Sequence, residues 1–152
     1  MSAVLGVDEG NPVAVEGQGS RSPVLLVCEH ASKVIPRSLG NLGLPEELRS
    51  SHIAWDPGAL ELSRFLSGEL DACLIHQRFS RLAYDCNRPP EDDSSIPQVS
   101  EIFPIPGNIA AGPADRQARV HSIYRPFEAA VAQEIAWRIS SGRPCVLATI
   151  HT

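Results

Sequence analysis

Three apolar runs constrain this chain more than any other feature: VLLVC at 24–28, ACLI at 72–75 and CVLATI at 145–150. Each is continuous rather than alternating in polarity, which is the pattern of a strand covered on both faces. Two helical patterns separate them. The first spans 57–70, with Asp56 as its N-cap and Pro57 in its first turn. Its apolar face reads Ala59, Leu62, Phe65, Leu66 and Leu70. The second spans about 114–141, with a stripe of Val120, Ile123, Phe127, Val131 and Ile135. Pro126 is predicted to kink or divide it, because a proline inside a helix removes a backbone hydrogen bond. Gly142 and Pro144 end it. A further extended piece is expected at 82–84. Strand–helix–strand–helix–strand order predicts an α/β fold with a mostly parallel sheet.

Residues 1–22 hold four glycines and no sustained periodicity, and read as a flexible N-terminal tail. Residues 23–152 read as one α/β unit. Its last apolar run stops two residues before position 152, the expectation for the N-terminal part of a longer domain. Six prolines between 89 and 113 predict a long irregular loop of the kind that carries function. With 5% aromatic residues the core must be aliphatic. The net charge of −5 gives no electrostatic drive toward nucleic acid or an anionic membrane. No apolar stretch approaches the ~18 residues of a membrane-spanning helix. The four cysteines form no CxxC pair, and the first residues carry no basic start followed by an apolar run. A reducing, cytoplasmic setting is the expectation.

In an open α/β sheet, ligands bind beyond the carboxyl ends of the strands. Glu29-His30 follows the first run, His76 the second and His151 the third. If the strands are parallel, three histidines meet at one edge. Imidazole is the commonest metal ligand, and a catalytic zinc takes three protein ligands plus water. The favoured ligands are therefore His30, His151 and a carboxylate, either Asp56 or Glu29. Asp56 as a plain helix cap is the competing reading, and His76 reads as structural. A second constellation, Arg81, Asp85, Asn87 and Arg88 in SRLAYDCNRP, suits a substrate with a free carboxylate, since guanidinium grips carboxylate in a planar fork. Asp85 is read as holding Arg81 or Arg88 in place. Cys28 beside His30 suggests a thiol nucleophile only weakly, because adjacent strand residues face opposite ways. No GxSxG elbow, P-loop or GxGxxG stands in the chain.

Taken in order, CEHAS, Ile35-Pro36, WDPGA, SRLAYDCNRP, Ile105-Pro106-Gly107-Asn108, Arg119 with YRPF, and ATIHT resemble the N-formylglutamate amidohydrolase family. The resemblance implies a three-layer, phosphorylase/hydrolase-like fold akin to zinc carboxypeptidases, with a mixed sheet, of which this chain is an incomplete part. It implies a zinc-dependent hydrolase that cleaves N-formyl-L-glutamate to formate and glutamate in histidine breakdown, or a related N-acyl amino acid. Its partner is then a small acidic N-acyl amino acid, not nucleic acid or membrane. His30 and His151 fall on metal positions, Asn87-Arg88 on a carboxylate-holding pair and Arg81 on an activating or anchoring arginine. The general base is expected beyond residue 152. Lys33, not Glu, stands three residues after His30, so Asp56 and Glu29 both stay open as the remaining ligand. The alternative is a non-catalytic module that binds such metabolites, or an inactive fragment of the hydrolase.

Overall fold

The three continuous runs form three strands of one sheet in the computed structural model, which describes residues 3–152. They are β2 (Val24–Cys28), β3 (Cys73–Gln77) and β6 (Val146–Thr149), with β2 parallel to both neighbours. A fourth strand, β1 (Val13–Glu16), pairs antiparallel with β3, so the sheet is mixed with the order β1-β3-β2-β6. Helix α2 (Ala59–Leu70), which follows the short α1 (Glu46–Arg49), covers one face. The other is covered by α4 (Pro113–Arg119), a π-helical turn (Val120–Tyr124) and α5 (Arg125–Ser140). Helix, sheet and helix make the three layers of an α/β fold. Leu25, Leu26, Leu74 and Ile75 in the central strands are shielded from water, each contributing roughly 1.5–3 kcal/mol of apolar burial.

β1 corrects the expectation of a flexible tail over 1–22, of which Met1 and Ser2 lie outside the described residues. Four residues of weak alternation give little signal, yet Val4 is buried in the core beside the sheet. Glu16 pins the strand: Arg64 of α2 grips its carboxylate at 2.7–3.1 Å and His76 of β3 approaches at 2.8 Å. The Arg64 hydrogen bonds, aided by His76, hold the Glu16 carboxyl down at about 2. His76 is thus engaged by the edge strand, through Glu16.

The expected stripe of the long helix packs on the core, whereas α2 departs from its expected face. In α2, Leu62, Phe65 and Leu70 are exposed, while Ala59 and Ser63 are buried. Small residues let the helix lie close to the sheet, and close approach wins over bulk. Pro126 does divide the long helix. It is the second residue of α5, and the backbone widens into the π-turn ahead of it. Residues 82–84 are buried but form no strand, and Leu82 and Ala83 lie in a turn.

The proline-rich segment is more structured than a loop, with a hairpin of β4 (Val99–Ser100) and β5 (Phe103–Pro104) and the short α3 (Pro106–Ile109). Gly107 has to be glycine, because a Cβ there would stand 2.8 Å from Leu42 Cα. Asn108, fully buried, donates to the carbonyls of Leu82 (2.9 Å) and Pro97 (2.8 Å) and accepts from Arg119 Nη1 at 2.6 Å. Arg119 also donates to Ala83 O at 3.2 Å. The two side chains clamp the turn at 80–85. Asn108→Ala removes the partner of two backbone carbonyls and one of the two acceptors of Arg119 Nη1, and a loss of about 2 kcal/mol in urea unfolding is expected. An unchanged midpoint would show that the clamp does not stabilise the turn.

Candidate functional site

Strand ends and one loop converge at the carboxyl edge of the sheet. His30 follows β2, His151 follows β6, and Asp56 precedes α2. The N-cap of α2 is Gly58, whose φ of +81° suits glycine, and no side chain caps the helix. Asp56 is therefore not the helix cap that one sequence reading proposed. Its N–H donates to His30 O at 2.9 Å, tying the two backbones together. Its Oδ2 lies 2.9 Å from His151 Nδ1 and 3.4 Å from His30 Nδ1. Ring centroids of the two histidines are 4.9 Å apart, edge to face. One donor atom from each of His30, Asp56 and His151 lies within 4.8 Å of the others, so the group could hold a metal ion.

The chemistry of the donors fits a cation. His30 Nε2 makes a 2.7 Å hydrogen bond to Asp85 Oδ1, which places a proton on Nε2. Nδ1 then faces the cluster as a buried nitrogen with no hydrogen-bond partner among the described residues. His151 Nδ1–H donates to Asp56 Oδ2 at 2.9 Å, a proton that a cation would replace, and the unpartnered His30 Nδ1 lone pair 3.4 Å from the same oxygen is matched by the same cation. Two imidazoles and one carboxylate are a catalytic zinc donor set that leaves a fourth position open. A carboxylate on the far nitrogen is the usual second partner of a metal-ligating histidine.

Asp85 does pair with Arg81, at 3.9 Å, as the sequence suggests, but its shortest side-chain contact, which the sequence does not show, is with His30, 55 positions away. Burial pushes its carboxyl up, but the His30 hydrogen bond and charge, Asn87 N–H and Arg81 outweigh that and hold it below the ordinary range. Arg81 bridges the two acids, with Nη1 3.5 Å from Asp56 Oδ1 and Nη2 3.9 Å from Asp85 Oδ2. Glu29 stands apart from the three donors. Its Oε2 lies 3.4 Å from the other nitrogen of His151, and burial pushes its carboxyl up. Ser80 locks the loops together: its N–H donates to Val34 O and its hydroxyl to Ala54 O, both at 2.7 Å.

Asn87 and Arg88 are pinned through their backbones and expose their side chains. Asn87 N–H donates to Asp85 Oδ1 (3.0 Å) and Arg88 N–H to Asp85 O (3.0 Å). Both side chains are exposed, Arg88 lying 3.9 Å from Asp92, and among the described residues no hydrogen bond or ion pair joins either to the cluster. Cys28 is buried and its thiol is pushed up to about 11 by desolvation, which removes it as a nucleophile. His52 pairs with Glu101, and His121 with Gln117, on the surface. No helix among the described residues is long and apolar enough to cross a membrane.

Fold and site together define an α/β protein of the hydrolase type, with a candidate His–Asp–His metal centre at the carboxyl edge of a mixed sheet. The chain belongs to the N-formylglutamate amidohydrolase family, whose model matches residues 22–152. It is similar to the crystal structure of a gene product from Agrobacterium tumefaciens, at 51% identity and a TM-score of 0.95. The match covers 97% of this chain and 59% of that one, so this chain spans little more than half of the structure it resembles. No curated protein matches the chain.

Proposed function

We propose that this chain forms the metal-binding part of a zinc amidohydrolase that cleaves N-formyl-L-glutamate to formate and glutamate, a step of histidine breakdown in a reducing cytoplasm. The observation that carries the reading is the meeting of two imidazoles, from strand ends far apart in sequence, around one buried carboxylate. Family membership supports the amide as the bond cleaved. His30 Nδ1, Asp56 Oδ2 and His151 Nδ1 would hold the metal. Bound there, a zinc ion would supply Lewis-acid polarisation of the formyl carbonyl and activation of a water.

The chain's own residues do the rest. Asp85 keeps the proton on His30 Nε2 and so leaves Nδ1 free to ligate. Arg81, held beside both acids and still partly open to solvent, is placed to stabilise negative charge developing on the carbonyl oxygen. Arg88 and Asn87 anchor a substrate carboxylate, because their backbones are fixed and their side chains are open to solvent.

The test is formate release from N-formyl-L-glutamate by the zinc-loaded protein, with and without Arg88→Ala. One lost charge-assisted contact is worth ~1.5–3 kcal/mol, so kcat/KM should fall by roughly 10- to 150-fold, mainly through KM. Unchanged kinetics would remove Arg88 from the site. Zinc uptake without formate release would mark the chain as a binding module.

A further inference from the structure

We infer that Glu29 is a positioning residue whose carboxylate turns the His151 ring so that Nδ1 faces Asp56, as Asp85 does for His30. The inference rests on reading the three-donor cluster as a metal centre. It starts from strand register. β2 and β6 run parallel with Val27 beside Thr149, so two residues further on Glu29 comes level with His151. Side chains alternate across a strand. Leu25 and Val27 face the α5 layer, while Leu26 and Cys28 face α2. Glu29 therefore continues the α5 side and His30 the α2 side. Val27, Glu29, Leu147 and Thr149 accordingly line one cavity of 290 Å³ under α5.

From that side Glu29 does not meet the shared point directly. Its approach is through His151, with Oε2 at 3.4 Å from Nε2, while His151 Nδ1 is the atom at 2.9 Å from Asp56. The Glu29 side chain is 7% exposed. Its Oε2 has no hydrogen-bond partner among the described residues, and His151 is its one ion-pair partner there within 4.0 Å. A buried carboxylate oxygen retained without a donor calls for a reason. A small rotation of His151 brings Nε2–H onto that oxygen, and site hydrogen bonds commonly tighten this way when the site is occupied.

The need is greater at His151 than at His30. His30 is buried and already held by Asp85, whereas the His151 side chain is 34% exposed and follows the last paired residue of β6. Each imidazole then presents Nδ1 to the cation and Nε2–H to a buried acid.

The experiment measures zinc affinity of the full chain by competition with a chromophoric chelator, for wild type, Glu29→Leu, Glu29→Gln and the same Leu variant in a His151→Ala background. Leucine fills the apolar cavity and removes a buried charge, so the fold should survive; melting of the metal-free variants checks this. Glu29→Leu should weaken zinc by ~10- to 100-fold, the usual effect of losing an outer partner. Glu29→Gln should recover most of that loss, because the amide oxygen still accepts from Nε2–H. In the His151→Ala background, Glu29→Leu should change nothing further. Equal affinity of wild type and Glu29→Leu would overturn the inference while leaving the metal centre intact. So would Glu29→Gln as weak as Glu29→Leu, which would make Glu29 a ligand. Failure of the wild type to bind zinc would overturn the metal-centre reading, and the inference with it.

Discussion

Asp56→Ala is expected to weaken zinc binding by more than ~100-fold, beyond what loss of an outer-shell partner causes, without unfolding the protein. The carboxylate is the common neighbour of both imidazoles, so its removal takes a donor from the centre of the set. It is not the cap of α2, whose N-terminal turn is set by Gly58, and the Asp56 backbone bond to His30 O survives the substitution. The readout is the stabilisation that zinc confers. At a free metal concentration 1,000-fold above Kd, a ligand bound only by the folded state adds ~4 kcal/mol, and a 100-fold weaker site keeps only ~1.4 kcal/mol. Wild type and Asp56→Ala should therefore melt at nearly the same temperature in chelator and far apart in zinc. Equal zinc-induced shifts would show that the metal sits elsewhere.

Such a site was legible to the extent that parallel strands made it legible. β2, β3 and β6 announce themselves as unbroken apolar runs, because both their faces are covered. Once they are parallel, His30 and His151 must emerge at one edge. Asp56 was visible as an acid just ahead of a helix, and only the geometry separated a ligand position from a cap. β1 was hidden because an edge strand of four residues needs little apolar signal and is held instead by the charged group on Glu16. The inner face of α2 was hidden for a related reason. Periodicity locates the bulky residues, whereas this helix presents Ala59 and Ser63 to the sheet.

The supporting groups were the least legible. Asp85 reaches His30 from a turn that is itself shaped by Ser80, Asn108 and Arg119, so no local spacing encodes the pair. Short motifs such as SRLAYDCNRP or IPGN mark these residues as a set without saying which of them touch. The exception is Glu29, whose neighbour follows from extending the β2–β6 register by two residues. That signal was available once the two strands were taken as adjacent.

The apolar stripe of the long helix also carries a charge that periodicity does not explain. Arg138 continues the stripe three residues after Ile135 and is fully buried. Its Nε donates to Glu134 at 2.8 Å and its Nη1 to Ser22 O at 3.0 Å, just ahead of β2. The pair thus joins α5 to the start of the strand that leads to His30. Attraction within such a pair scarcely exceeds the cost of desolvating it, but removing one partner leaves a buried charge uncompensated. Glu134→Ala is therefore expected to cost ~3–5 kcal/mol, a large share of the ~5–15 kcal/mol that holds a domain together. The double replacement Glu134→Leu with Arg138→Met, which removes both charges and keeps the volume, should recover most of that loss. Urea unfolding of the three proteins decides the matter. A cost below ~1 kcal/mol for Glu134→Ala, the level of a surface ion pair, would mean that water reaches the guanidinium and that the pair does not fix α5 on the sheet.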